Sequence, residues 1–256
     1  MSDLNLARRL FACIDNTTLN ATDNDASVEA FCRRTRELTL SDGTTVAAVC
    51  VYPRFVGVAR RALEGSGIRV ASVAGAFPHG QLPTGLKVAE VRHVVEQGAD
   101  EVDVVLSRGL LLAGEDNAVR DEVAAMKEAC GLRHLKVILE TGELPSSALV
   151  ARAAQLAIDG GADFIKTSTG KISTGATPEA AESMLNVVKN NVKNYKKTIG
   201  FKAAGGISTP EEAVRYAEMA KKIVSDEYVN NQTFRIGASR LTERLHAFLT
   251  FQTAAN

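Results

Sequence analysis

The chain has 256 residues, 45% of them apolar, and its 30 basic residues are balanced by 30 acidic ones. This length fits one large domain or two small ones, and the zero net charge argues against nucleic acid or a membrane surface as a partner. The N-terminal MSDLNLARRL has no apolar signal core, and the four cysteines lack metal-ligand spacing, so we expect a cytoplasmic protein with reduced, buried thiols.

Eight short apolar segments recur along the chain and are predicted as β-strands. They cover residues 11–14, 46–52, 69–74, 101–106, 135–140, 164–167, 198–202 and 234–238. Helical patterns separate them, such as residues 84–97 and the helix start at Thr209-Pro210 with its capping-box Glu212. Short apolar strands that alternate with helices predict a parallel sheet covered by helices. Eight repeats in a chain of this size favour a single-domain (β/α)8 TIM barrel over residues 1–256, rather than an open doubly wound sheet.

Two lysines close predicted strands, and each stands just before a glycine-rich turn. Lys166 ends the segment DFIK, and Lys202 ends the segment TIGFK. Because lysine is costly to bury, such a residue is usually paired with an acid or held for chemistry. Two lysines close together would repel each other, and the repulsion would favour the neutral amine of one of them. A neutral lysine amine is a nucleophile toward carbonyl groups.

An internal repeat places an acid beside these lysines. GADEVD and GADFIK both follow a helix and enter a strand, and their sixth residues are Asp103 and Lys166. If these are the fourth and sixth strands of a barrel, both side chains can point inward at one height, with Lys202 on the next strand. A single lysine at a strand end is more often part of a structural ion pair. Convergence of three ionisable residues at the carboxyl ends of barrel strands instead predicts an active site.

Asp15 follows the first predicted strand, within CIDNTTLN. It is a candidate for orienting a substrate hydroxyl or the second lysine at the same mouth of the barrel. An Asx-turn or a helix N-cap is an equally good interpretation of this residue.

Glycine positions after three strands indicate a phosphate site. Gly205 and Gly206 follow the seventh strand, and Gly237 and Ser239 follow the eighth. Loops after these two strands commonly bind phosphate in barrels, through backbone N–H groups and a helix N-terminus. Gly170-Lys171 after the sixth strand could add a cation. Together these positions predict a small phosphorylated substrate.

Several motifs, taken in chain order, resemble those of the deoxyribose-phosphate aldolases. They are CVYPRF, FPHG, EVDVV, LKVILETGEL, DFIKTSTGK, GFKAAGG and RIGAS. The resemblance extends from about Asp15 to Arg240 and implies a barrel without cofactor or metal, often a homodimer. It also implies reversible cleavage of 2-deoxy-D-ribose 5-phosphate to acetaldehyde and D-glyceraldehyde 3-phosphate, in deoxyribonucleotide catabolism.

The resemblance also implies roles for individual residues. Lys166 would form the Schiff base, Asp103 and Lys202 would donate and accept protons, and Asp15 would support this relay. The residues that fall where the family binds phosphate are Gly170, Lys171, Gly205, Gly206, Gly237 and Ser239.

The chain departs from the family pattern at three positions near this site. Ala203 stands in place of a common proline, Ser208 in place of an arginine, and Arg240 in place of a second serine. These changes predict re-routed or weakened phosphate contacts rather than loss of activity. Two other hypotheses remain: a Schiff-base barrel aldolase or transaldolase with a different donor, and a sugar-phosphate-binding protein that has lost catalysis.

Overall fold

The computed structural model of the chain describes residues 4–195 and 198–254. Eight parallel strands close into a barrel in sequence order, with helices between them, which confirms the predicted (β/α)8 fold. The ends of the predicted domain, residues 1–3 and 255–256, lie outside the described residues. So do residues 196–197 in the lysine- and asparagine-rich segment that follows the sixth strand.

The strands are short and lie at the centre of the molecule. They are β1 (Ile14–Thr17), β2 (Ala48–Val51), β3 (Arg69–Ala74), β4 (Glu101–Val105), β5 (His134–Ile138), β6 (Phe164–Lys166), β7 (Gly200–Ala204) and β8 (Phe234–Ala238). The helices are α1 (Leu4–Ala12), α2 (Asp25–Glu37), α3 (Val56–Ala62), α4 (Thr84–Glu96), α5 (Arg108–Leu112), α6 (Asp116–Cys130), α7 (Ser147–Asp159), α8 (Pro178–Tyr195), α9 (Pro210–Ile223) and α10 (Leu241–Ala254). Within residues 4–195 and 198–254, none of these helices combines the length and apolarity needed to cross a membrane.

The first predicted strand is wrong by several residues. Residues 11–12 belong to α1, because Ala7, Leu10 and Phe11 recur at helical spacing and bury one helix face. The strand starts only at Ile14, so Asp15 lies within β1 rather than in a turn after it. Its neighbours in the barrel are Ala48 on one side and Gly237 on the other.

Several other strand ends also differ from the prediction, and those of the seventh and fifth strands bear on the site. The seventh strand is Gly200–Ala204 instead of 198–202, because its ladder continues past Lys202 and pairs Ala203 and Ala204 with β8. Lys202 is therefore the middle residue of β7 rather than its last. The fifth strand stops at Ile138, and Glu140 adopts a left-handed backbone conformation just beyond it.

Parallel register separates the strand residues into two layers. Partners in a ladder share a face of the sheet, and the outward-facing residues pack with the helices in one large apolar core. A second apolar cluster lies apart from this core, on β2, β3 and the loop after β1. Its members are Leu19, Ala48, Cys50, Ala71 and Val73, with Tyr52 and Phe77 packed against them. Since Val73 pairs with Asp103, this cluster faces the barrel interior. As predicted, all four cysteines are buried free thiols.

Candidate active site

Seven ionisable side chains lie buried inside the barrel, and we refer to them as the barrel cluster. They are Asp15, Glu101, Asp103, Lys136, Lys166, Lys202 and Arg235. The strand register explains why they meet. Asp103 pairs with Lys136 across β4 and β5, and Lys202 pairs with Lys166 on one side and with Arg235 on the other. Paired residues share a face, so all these side chains point into the barrel.

Asp103 lies at the centre of the barrel cluster, in contact with three lysines. Its Oδ1 accepts a hydrogen bond from Lys136 Nζ at 2.9 Å, and its Oδ2 accepts from Lys166 Nζ at 2.8 Å and Lys202 Nζ at 2.7 Å. Burial by itself would raise the pKa of Asp103. The three ammonium groups outweigh burial and hold the pKa well below its usual value, so Asp103 is a carboxylate at neutral pH.

Two of these lysines are held in their charged form. Lys202 Nζ contacts Asp15 Oδ2 at 2.5 Å as well as Asp103, and Lys136 Nζ contacts Glu101 Oε2 at 2.5 Å and Asp103 Oδ1 at 2.9 Å. Burial acts to lower the pKa of both lysines. The surrounding carboxylates outweigh it and raise both pKa values above that of a free lysine. These two ammonium groups therefore remain protonated across the physiological range.

Lys166 has a different electrostatic environment. Among residues 4–195 and 198–254, Asp103 is the one carboxylate that forms an ion pair with its ammonium group, and the pKa of Lys166 is lowered, chiefly by burial and further by Lys202. Asp103 opposes this shift without reversing it. Repulsion between the lysines, the cause expected from the sequence, contributes less to the lowered pKa of Lys166 than burial does.

Charge balance within the barrel cluster also indicates Lys166 as the lysine that loses its proton. Apart from the partly exposed Arg69, which binds Glu101 at 3.0 Å, four buried cations face three buried carboxylates, so these seven groups carry one excess positive charge when all are ionised. Loss of a proton from Lys166 removes this excess. Lys166 is thus the amine in the cluster that is best suited to act as a nucleophile.

Asp15 is also part of this cluster rather than a turn-forming residue. Its Oδ1 accepts from Arg235 Nη1 at 2.6 Å, and its Oδ2 accepts from Lys202 Nζ at 2.5 Å. Burial would raise its pKa, but Lys136, Lys202 and Arg235 together lower it. A deprotonated Asp15 therefore holds Lys202 in place together with Asp103.

Sequence reasoning missed Glu101, Lys136 and Arg235. Each is a charged residue within an apolar run, in EVDVV, LKVIL and FRIGA. For Glu101 the sequence does contain an indication. Glu101 lies two positions before Asp103, and because strand side chains alternate with a period of two, both residues lie on the same face of β4. Arg235 Nη1 and Nη2 bind Glu101 at 3.0 and 2.7 Å, so this pair continues the charged network toward the amino-terminal end of the barrel.

A cavity of about 300 Å³ opens beside Lys166 at the carboxyl ends of β6, β7 and β8. All six residues predicted to bind phosphate line it, namely Gly170, Lys171, Gly205, Gly206, Gly237 and Ser239. Gly170, Gly205 and Gly206 have positive φ values of 74°, 89° and 84°, a conformation that glycine adopts freely. The cavity therefore joins the reactive amine to a glycine-rich rim with cationic side chains.

The departures from the family pattern take different positions around this cavity. Ser208 and Arg240 both line it, whereas Ala203 is buried on the outward face of β7. The backbone N–H of Ser208 binds Glu212 at 2.7 Å, and its carbonyl accepts a hydrogen bond from Arg244 at 2.9 Å. Arg244 was not identified from the sequence. It places a cation next to Ser208.

Comparisons with known proteins agree with this architecture. The family model of the DeoC/LacD family aldolases matches residues 9–240. A Coccidioides immitis protein provisionally assigned as a deoxyribose-phosphate aldolase is 27% identical, with a TM-score of 0.81, and the match covers 94% of this chain and 86% of that one. A Toxoplasma gondii ME49 protein with the same provisional assignment is 25% identical (TM-score 0.85; 97% and 98% covered). The Aeropyrum pernix deoxyribose phosphate aldolase, which has a tetrameric structure, is 26% identical (TM-score 0.73; 96% and 93% covered).

The barrel fold and the family match together define this protein as an aldolase, and hence as a lyase. More particularly, the chain belongs to the DeoC/LacD aldolase family.

Lys136 should be essential for stability. The variant Lys136→Met leaves Glu101 and Asp103 without one of their cations, and we expect it to lower the free energy of unfolding by about 3–5 kcal/mol. Denaturant unfolding followed by circular dichroism would measure this loss. Lys221→Met, which removes a lysine from ion pairs at the surface, is the control and should leave the unfolding midpoint unchanged. Equal midpoints for both variants would contradict the structural role of Lys136.

Proposed function

We propose that this protein is a class I deoxyribose-phosphate aldolase that reversibly cleaves 2-deoxy-D-ribose 5-phosphate to acetaldehyde and D-glyceraldehyde 3-phosphate. The observation that carries the proposal is Lys166, a buried amine of lowered pKa in a cluster with one excess cation, next to a cavity with a glycine-rich rim. The names of the related structures from three organisms support the same substrate.

In the synthetic direction, the neutral Lys166 amine attacks the carbonyl carbon of acetaldehyde. A proton from the Asp103–Lys202 pair lets the carbinolamine hydroxyl leave as water, and the product is an iminium ion, which withdraws electrons from the neighbouring carbon. Loss of a proton from that carbon gives an enamine. Asp103 and Lys202 are suited to accept and return protons because Asp103 Oδ2 lies 2.8 Å from Lys166 Nζ and 2.7 Å from Lys202 Nζ.

The enamine carbon then attacks the aldehyde carbon of glyceraldehyde 3-phosphate. A proton from the Asp103–Lys202 pair neutralises the new alkoxide, with Asp15 holding Lys202 in place. Water attacks the remaining iminium, which releases the sugar phosphate and restores the Lys166 amine. Cleavage follows the same steps in reverse.

The apolar cluster inside the barrel supports acetaldehyde as the donor. Val73 of this cluster pairs with Asp103 across β3 and β4, so small apolar side chains face the same barrel interior as the reactive amine. A two-carbon aldehyde suits such surroundings, whereas a dihydroxyacetone donor needs hydroxyl partners. This favours the deoxyribose-phosphate reaction over another Schiff-base aldolase or a transaldolase.

The intact barrel cluster weighs against a binding protein that has lost catalysis. Lys166, Asp103, Lys202 and Asp15 are all present and joined by hydrogen bonds. A role in deoxyribose phosphate catabolism, a cytoplasmic location and a homodimer stay predictions. Among the related structures, the one from Aeropyrum pernix is tetrameric.

Borohydride reduction in the presence of acetaldehyde tests the Schiff base directly. We expect an ethyl adduct on Lys166, located by peptide mass spectrometry, because only an iminium at this amine gives that product on reduction. Lys166→Arg is the matched control, since it keeps the positive charge and lacks a nucleophilic amine. Adducts that are spread over surface lysines, or that form equally in the variant, would rule out Lys166 as the amine that forms the Schiff base.

The variant Asp103→Asn should separate imine formation from proton transfer. Turnover of 2-deoxyribose 5-phosphate should fall by about 10²–10⁴-fold, the usual contribution of an acid–base group. Because the Asp103 carboxylate raises the pKa of Lys166, its removal should lower that pKa further and keep the amine neutral at lower pH.

Acetaldehyde trapping on Lys166 should therefore persist in Asp103→Asn, with its pH midpoint shifted downward from that of the wild-type protein. Trapping measured across a pH series on folded protein gives the result. An upward shift would mean that Asp103 does not stabilise the Lys166 ammonium.

Arg240 should contribute to phosphate binding. We expect Arg240→Ala to raise the KM for 2-deoxyribose 5-phosphate about three- to tenfold, because an arginine–phosphate contact is charge-assisted. The kcat/KM for unphosphorylated 2-deoxyribose serves as the internal control and should not change. An unchanged KM for the phosphorylated sugar would exclude a role for Arg240.

A further inference from the structure

Glu140, two residues beyond the end of β5, combines two unfavourable features. Its backbone is left-handed, with φ 53° and ψ 60°, and its side chain is almost completely buried, with 1% of the residue exposed. A non-glycine residue rarely adopts this conformation, and backbone strain of this kind concentrates at functional sites. Neither the family signature at Lys166 nor the barrel cluster accounts for it.

The Glu140 carboxylate is bound by the loop that follows β6. Its Oε1 accepts a hydrogen bond from the backbone N–H of Thr169 at 3.2 Å, and its Oε2 accepts one from the Thr169 hydroxyl. The same hydroxyl oxygen accepts the backbone N–H of Lys171 at 3.1 Å. A chain of hydrogen bonds thus runs from Glu140 through Thr169 to Lys171.

This loop forms one side of the cavity next to Lys166. Thr169, Gly170 and Lys171 all line the cavity, and Lys171 Nζ reaches across to the carbonyl of Leu19 in the loop after β1. The position of the Glu140 carboxylate therefore determines the path of a cavity wall that carries both a cation and a glycine.

The charge of Glu140 is compensated in an unusual way. In the part of the chain that the structure describes, no lysine or arginine nitrogen lies within 4.0 Å of its carboxylate. A buried carboxylate is costly unless it is well hydrogen-bonded, and here the bonds come from Thr169. The carboxylate and the loop are consequently stabilised together, and removal of either partner should release the other.

We propose that Glu140 is a positioning residue that holds residues 169–171 so that Gly170 and Lys171 face the phosphate of the substrate. This inference rests on the proposed function, and it deepens the account of the same site. Glu140 does not contact the reacting atoms. It acts through Thr169, at the end of the substrate that is remote from the Schiff base.

The variant Glu140→Gly tests this role with little risk to the fold, because glycine adopts the left-handed conformation without strain. We expect the KM for 2-deoxyribose 5-phosphate to rise about tenfold and the kcat to stay within about threefold, since the lost hydrogen bonds are charge-assisted. The kcat/KM for unphosphorylated 2-deoxyribose should remain within about twofold of the wild-type value. Thermal unfolding would verify that the variant is folded.

Substitutions at Thr169 provide the matched controls. Thr169→Ser keeps the hydroxyl and should behave like the wild-type protein, whereas Thr169→Val removes it and should raise the KM as Glu140→Gly does. If the two residues act as one unit, the double variant Glu140→Gly/Thr169→Val should be no worse than the more impaired single variant. Additive losses would overturn the proposal.

Two further results would also overturn it: an unchanged KM in Glu140→Gly, or equal losses for the phosphorylated and unphosphorylated sugars. Acetaldehyde trapping on Lys166 distinguishes these failures from failure of the proposed function. Trapping that persists in Glu140→Gly with an unchanged KM would reject only the role of Glu140. Absence of trapping in the wild-type protein would instead reject the aldolase chemistry on which the inference rests.

Discussion

The contact of one carboxylate with three ammonium groups is the interaction on which the rest of the site depends. Asp103 binds Lys136, Lys166 and Lys202 within 2.7–2.9 Å, and all four side chains are almost completely buried. A buried charge is tolerated only when it is paired and hydrogen-bonded. Asp103 therefore allows three lysines to occupy the barrel interior, and each of them in turn keeps Asp103 ionised.

The closed barrel is what makes this arrangement possible. Every strand supplies inward-facing residues, and the register aligns Lys166 with Lys202 while Asp103 approaches from β4. A short strand with alternating faces cannot bring so many charges together, but eight converging strands can. The outward faces of the same strands remain apolar and pack with the helices, so stability and chemistry are carried by opposite sides of one sheet.

The fold could be predicted from the sequence because the strand and helix patterns repeat eight times. The convergence of Lys166, Lys202 and Asp103 also followed from a repeat, once a barrel was assumed. The predicted bounds of the first strand were wrong because Leu10 and Phe11 fit the buried face of a helix as well as a strand. Lys136 and Arg235 could not be predicted as site residues because they follow no motif with known chemistry. A single charged residue in an apolar segment does not indicate which other charges it will contact in the fold.

Under the proposed chemistry, charge balance gives the barrel cluster a direct part in catalysis. With a neutral Lys166 amine, three cations face three carboxylates. Formation of the iminium restores the excess positive charge, and Asp103 stabilises that cation at hydrogen-bond distance. Transfer of a proton from the neighbouring carbon to the Asp103–Lys202 pair leaves the enamine neutral, and the excess charge stays on that pair until the new alkoxide takes the proton. The fixed charges thus stabilise the iminium and also favour its conversion to the carbon nucleophile, because both effects arise from a preorganised site with restricted solvent access.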